Sequence, residues 1–84
     1  MRKFTIFLLR DHGDEGFTVL VPELPGCQTE GETIQEAMDM ARDAIAGHVA
    51  SMQAAGDWIP DEPTEVIVAS VEVDQEAVLP AGQL

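Results

Sequence analysis

The chain has 84 residues, which is enough for one small domain and too few for two. Its hydrophobic content of 45% excludes a fully disordered chain. Four basic residues against sixteen acidic residues give a net charge of −12. This charge disfavours direct nucleic-acid binding and favours a basic partner. A solvated acidic surface is the simpler explanation of the same charge.

The first predicted element is a strand over residues 3–10, which are rich in Phe, Ile, Leu and Thr. Both of its faces are largely apolar, so we expect the helix to cover one face and a second subunit to cover the other. The run is too short to span a membrane and lacks a small-residue cleavage site. The single cysteine, Cys27, can form no internal disulfide, and together these features predict a cytoplasmic protein.

A turn and a second strand follow. The segment DHGDEG at 11–16 has the glycines and acids of a turn, and residues 17–21 then alternate as a strand. The short connection predicts an antiparallel hairpin. Pro22 ends the second strand because it has no N–H to donate to the ladder.

The tetrapeptide LPGC at 24–27 predicts a type II turn. Pro25 pre-sets φ at the second position, and Gly26 accepts the positive φ required at the third. A short third strand over 27–30 is expected to follow this turn.

A long helix comes next. Gly31 leads into TIQE at 33–36, a capping box in which the Thr33 hydroxyl accepts from the Glu36 N–H and the Glu36 side chain reaches back. Gly56 predicts the end of a helix of about 22 residues. The expected apolar stripe consists of Ile34, Ala37, Met38, Ala41, Ile45, Val49 and Met52.

Trp58, which precedes a proline at position 60, is expected to close one end of the core. Residues 65–73 (EVIVASVEV) predict a last strand that is apolar on both faces. The predicted fold class is therefore α+β, with the order β-β-β-α-β and an antiparallel-rich sheet that has one long helix packed on a face. The two strands with apolar residues on both faces also predict a homodimer or homotetramer.

Several short motifs follow one another in a characteristic order. They are GF at 16–17, VP at 21–22, LPGC at 24–27, Gly31 with Thr33, EA at 36–37, Ala41, AI at 44–45, and Gly56 with IP at 59–60. As an ordered set over residues 3–73, they resemble the HicB-like antitoxin family, whose members are UPF0150-like small domains of type II toxin–antitoxin systems.

The resemblance implies a partial RNase H-like sheet and a protein that is not an enzyme. Its implied partner is a HicA-like toxin, a small basic ribonuclease that cleaves mRNA and whose active site the antitoxin covers. Many members also carry a C-terminal DNA-binding module. Only eleven residues follow Val73, so we expect residues 1–73 to form the antitoxin domain and residues 74–84 a tail without such a module.

Acidic side chains are the candidate partner-binding groups, because they could imitate phosphate charge in the groove of a basic toxin. A solvated face is the alternative explanation. The candidates are Asp11, Asp14, Glu15, Glu23 and Glu30, within a wider acidic set that adds Glu32, Asp39 and Asp43. Structural roles are assigned to Pro25, Gly26, Gly31, Thr33, Glu36 and Trp58.

No catalytic residue, metal ligand or cofactor is predicted. His12 lies beside Asp14 and Glu15, but no second His or Cys with ligand spacing is near, which favours a solvated loop. The leading hypothesis is an antitoxin-like protein-binding module. The alternatives are a solitary homo-oligomeric module, ligand-binding or structural, without a toxin, and, less favoured, a hydrolase.

Overall fold

The computed structural model describes residues 2–10, 13 and 15–75. The predicted site residues Asp11 and Asp14, together with His12 and most of the predicted tail, lie outside this part of the chain. Its elements are strands β1 (Phe7–Leu9), β2 (Phe17–Leu20) and β3 (Gln28–Gly31), followed by helix α1 (Ile34–Ala55). The predicted α+β class is confirmed, with α1 packed on a three-stranded sheet.

The sheet is antiparallel throughout, in the order β1-β2-β3. Leu8 pairs with Val19, and these two side chains pack towards the alanines of α1. Phe7 pairs with Leu20, and because side chains alternate along a strand this pair lies on the face away from α1. The predicted hairpin is thus present, although β1 is shorter than the predicted 3–10.

The segment between β2 and β3 folds inward through two successive turns. The Leu24 N–H donates to the Val21 carbonyl at 3.0 Å, and the Cys27 N–H donates to the Leu24 carbonyl at 2.9 Å. Gly26 has φ of +87°, so the predicted type II turn is present. Val21, Leu24 and Cys27 are all buried, and they form a core cluster beneath the second half of α1.

Helix α1 spans 22 residues, or about 33 Å. At its start, the Thr33 hydroxyl accepts from the Glu36 N–H at 3.0 Å. The Glu36 carboxylate reaches back as predicted and accepts from the N–H of Glu32, the residue before the N-cap. At its end, Gly56 adopts φ of +75°, and the Asp57 N–H donates to the Met52 carbonyl, which closes a Schellman-type cap.

We expect Thr33→Ala to lower the free energy of unfolding by about 1 kcal/mol, because the first turn of α1 loses its side-chain acceptor. Thr33→Ser is the matched control, since it keeps the hydroxyl. Urea denaturation followed by circular dichroism measures both variants. Equal stability of the alanine and serine variants would show that this hydrogen bond does not stabilise the helix.

The apolar stripe of α1 is only partly buried. Ala37 and Ala41 are buried against the sheet, and Ala44, Ile45, Val49 and Met52 pack on the Val21 cluster. Ile34 and Met38, however, are 61% and 39% exposed, so this end of the predicted apolar stripe is not buried and Met38 is not a core residue. They lie together on one flank of the helix, where three strands are too few to provide cover.

Two further predictions about the C-terminal part are wrong for the single chain. Trp58 is 78% exposed and does not close the core. The backbone before it is held by the Gly56 cap, and the backbone after it is held by Arg2, which donates to the carbonyl oxygen of Ile59 at 3.2 Å. Residues 65–73 join no strand ladder. Residues 65–73 are rich in β-branched side chains, which suit a pleated surface. Such a preference does not provide the neighbouring strand with which the segment would have to pair.

Candidate functional site: an acidic cleft

A cleft of about 620 Å³ opens where the start of α1 meets the ends of the strands. It forms because only two residues separate β3 from α1, so the first turn of the helix lies beside the last residue of β3. Phe17 of β2 pairs with Gly31, which brings the start of β2 to the same place. The cleft is lined by Leu9, Gly13, Glu15, Gly16, Phe17, Thr18, Glu30, Gly31, Glu32, Glu36 and Met40.

Four glutamates give this cleft its charge: Glu15, Glu30, Glu32 and Glu36. All four are exposed. Glu36 stands in the first turn of α1, where the positive end of the helix dipole favours a carboxylate. Among the described residues, no lysine or arginine lines the cleft, and the nearby Arg10, which stacks on the lining residue Phe17, is one cation against four carboxylates. The cleft therefore presents a net negative field to an approaching ligand.

Apolar side chains also line the cleft. Leu9 is 47% exposed and Met40 is 41% exposed. Phe17 lines the cleft too, and the guanidinium carbon of Arg10 lies 4.3 Å from the centre of its ring. A cleft lined by carboxylates and apolar side chains suits the long side chains of lysine and arginine, which combine an aliphatic stem with a charged end.

Of the predicted partner-binding residues within the described chain, Glu15 and Glu30 meet in this cleft and Glu23 does not. Glu23 lies beyond the other end of β2, and its carboxylate accepts from the Thr5 N–H at 2.8 Å. Continuing the β1–β2 register places Thr5 opposite Pro22, and Glu23 supplies an acceptor at this end of the ladder. The second carboxylate oxygen of Glu23 is buried, with no hydrogen-bond partner among the described residues.

Sequence reasoning did not identify Leu9, Glu36 and Met40 as members of the site. Glu36 and Met40 are four residues apart, so they share one helix face, and this spacing is a signal that could have been used. Leu9 reaches the same cleft only through the pairing of β1 with β2, which the spacing of the residues alone does not specify.

The described residues give little support for metal binding or for a reactive cysteine. No group of three or more His, Cys, Asp or Glu among them could hold a metal ion. Cys27 is buried in the Val21 cluster, and this desolvation raises the pKa of its thiol, which lowers its reactivity.

In the described part of the chain, no helix combines the length and the apolar character needed to cross a bilayer.

Comparison with known proteins identifies relatives that are similar to this chain in sequence. A UPF0150 protein of Thermoplasma acidophilum is 35% identical over 65 residues, which cover 77% of this chain and 93% of that protein. A 14.9 kDa protein from the rep-hol intergenic region of Haemophilus phage HP1 is 33% identical, over 73% of this chain and 54% of its own length.

A solved structure is similar as well. The crystal structure of the N-terminal domain of the Burkholderia pseudomallei antitoxin HicB aligns with a TM-score of 0.56 and 30% identity, over 94% of this chain and 82% of that domain. Residues 4–79 match the family described as HicB-like antitoxin of bacterial toxin–antitoxin system. The chain therefore belongs to the HicB-like antitoxin family.

Proposed function

We propose that this protein is an antitoxin module that binds a small, basic, mRNA-cleaving toxin of the HicA-like kind and neutralises it by covering its active site. The observation that carries the proposal is the acidic cleft, in a chain that belongs to an antitoxin family. The role is one of binding, and we assign no catalytic residue.

Charge supports a basic partner at two levels. The net charge of −12 attracts a basic protein over a distance and raises the rate of encounter. At contact, the glutamates of the cleft provide acceptors for lysine or arginine side chains, while Leu9 and Met40 offer apolar surface that a partner can cover. A toxin that binds RNA needs a basic surface, so it is complementary to this site.

Neutralising the cleft is expected to weaken toxin binding. We choose Glu15→Gln, Glu30→Gln and Glu32→Gln together, and leave Glu36 unchanged because its side chain accepts from the Glu32 N–H. The dissociation constant should rise by about tenfold or more, since each lost charge pair is worth up to about 1 kcal/mol. A basic protein captured from the native host with this chain is titrated calorimetrically at several salt concentrations, and affinity should fall steeply as salt rises.

The matched control is Asp43→Asn, Asp57→Asn and Glu62→Gln, three exposed acids outside the cleft. Both triple variants lose the same charge, so a difference between them reports the position of the acids. If the two variants weakened toxin binding equally, the effect would come from net charge alone, and this result would contradict the role of the cleft. Affinity that does not change with salt would contradict electrostatic recognition.

The proposal includes action in the cytoplasm, where mRNA is translated, and assembly as a homodimer or homotetramer. Self-association is supported by the half-buried Phe7 and Leu20 on the sheet face away from α1. The alternative is a solitary homo-oligomeric module without a toxin. Capture experiments from the native host that recover no small basic protein would favour that alternative.

A further inference from the structure

Residues 65–73, which we call the C-terminal arm, belong to no helix or strand, and most of their apolar side chains are in solvent. Ile67 and Val68 are each 78% exposed, Val71 is 84% exposed and Val73 is 83% exposed. The radius of gyration is 16.7 Å, against about 12 Å for a compact domain of this length. A sequence with strong strand preference is thus held away from the core, where it gains nothing from burial.

Strand β1 provides an unpaired sheet edge. Within the described residues, β1 pairs with β2 alone, so its other side is free. The Thr5 N–H points towards β2, where it meets Glu23. Because backbone groups alternate along a strand, those of Ile6 and Leu8 point to the free edge, where an added strand could pair with them.

The side chains beside this edge suit the arm. Phe7 lies on the sheet face that α1 leaves open. Alternation places Ile67, Val71 and Val73 on one face of the arm. An arm strand added beside β1 can therefore extend the open apolar face of the sheet and shield its side chains.

Charge favours β1 over β3 as the edge that receives the arm. Of the four basic residues in the chain, Lys3 and Arg10 flank β1. The Arg10 guanidinium stacks on Phe17 of β2, so it must leave that ring to meet the arm, whereas Lys3 has no such contact to give up among the described residues. The arm has Glu65 at its start and Glu72 near its end, so either strand direction brings opposite charges together. The other edge strand, β3, carries Glu30 and would repel these glutamates.

We propose that the C-terminal arm of one copy adds as a strand to β1 of a second copy, and that the exchange is reciprocal. Two such junctions related by a two-fold axis close the assembly and leave neither β1 edge open. Within one chain, Glu65 and Val66 line a shallow cleft together with Thr5 and Phe7, while residues 67–73 are exposed and join no strand ladder. This inference rests on the self-association included in the proposed function and deepens it by assigning the strands that form the interface. It does not depend on toxin binding, so its failure would leave the toxin-binding role to be tested separately.

The first test is Val68→Pro, with Val68→Thr as its control. Proline removes a backbone donor from the middle of the added strand, whereas threonine keeps strand preference. Sedimentation at micromolar concentration should give twice the chain mass of 9.1 kDa for the parent and the threonine variant, and 9.1 kDa for the proline variant. A monomeric parent, or a proline variant that dimerises as tightly as the parent, would overturn the proposal.

The second test exchanges the charges. One variant carries Lys3→Glu with Arg10→Glu, and the other carries Glu65→Lys with Glu72→Lys. Each alone should raise the dimer dissociation constant by about tenfold or more, because both junctions then join like charges. An equimolar mixture should form a heterodimer of near-parental affinity, since each arm again meets an edge of opposite charge. Failure of the mixture to associate better than either variant alone would overturn the exchange.

Discussion

Gly31→Ala is expected to lower the free energy of unfolding by about 3 kcal/mol. A Cβ atom at this position would lie 2.5 Å from the Ala37 backbone nitrogen and 2.6 Å from its Cα, and 2.9 Å from the Glu36 carbonyl carbon. These are backbone atoms of the first turn of α1, so they cannot rotate aside as a side chain would. The helix must move away from the end of β3, which opens the contact of Ala37 with Val19.

Gly47→Ala is the matched control for this substitution. It makes the same chemical change at a position inside α1, where an added Cβ atom would have no neighbour within 4 Å. Alanine has the higher helix propensity, so this variant should be more stable by up to about 1 kcal/mol. Urea unfolding at one fixed protein concentration compares both variants with the parent. If Gly31→Ala were as stable as the parent, the close approach of β3 to α1 would be refuted.

Leu24→Ala is expected to cost about 3 kcal/mol of unfolding free energy. Leu24 is 1% exposed and packs with Val21 and Cys27 beneath α1, between two turns whose hydrogen bonds fix its backbone. Those bonds limit how far the segment can collapse into the space left by the missing side-chain atoms. Thermal and urea denaturation should both report the loss.

Leu24→Met tests whether the loss comes from volume. Methionine nearly conserves the buried volume, so its cost should stay below about 1.5 kcal/mol. A similar loss for alanine and methionine would show that side-chain shape, and not the cavity, limits stability at this position. A loss below about 1 kcal/mol for alanine would contradict the packing of this segment.

Local signals predicted the parts of the fold that local chemistry determines. The type II turn at 24–27 follows from proline beside glycine, and the ends of α1 follow from Thr33 and Gly56. The hairpin follows from two strand patterns around a short glycine-containing turn. In each case the residues that carry the signal also make the contact, so the sequence is sufficient.

Predictions that needed distant partners were less successful. Burial of Trp58 and pairing of residues 65–73 require neighbours that the described part of the chain does not supply, and a strand-like pattern does not reveal which edge it will join. The candidate site was predicted in part. Glu15 and Glu30 were recognised as acids, but the close joining of β3 to α1 is what brings Glu30 and Glu36 to one cleft.

The exposure of Trp58 makes it an optical probe of assembly. The chain has one tryptophan and no tyrosine, so its near-ultraviolet emission comes almost entirely from this indole. Trp58 stands between the end of α1 and residues 59–61, which Arg2 holds through hydrogen bonds and an ion pair with Asp61. Any molecule that covers this junction will shift the emission to shorter wavelength, so binding near the base of the arm can be followed without a label.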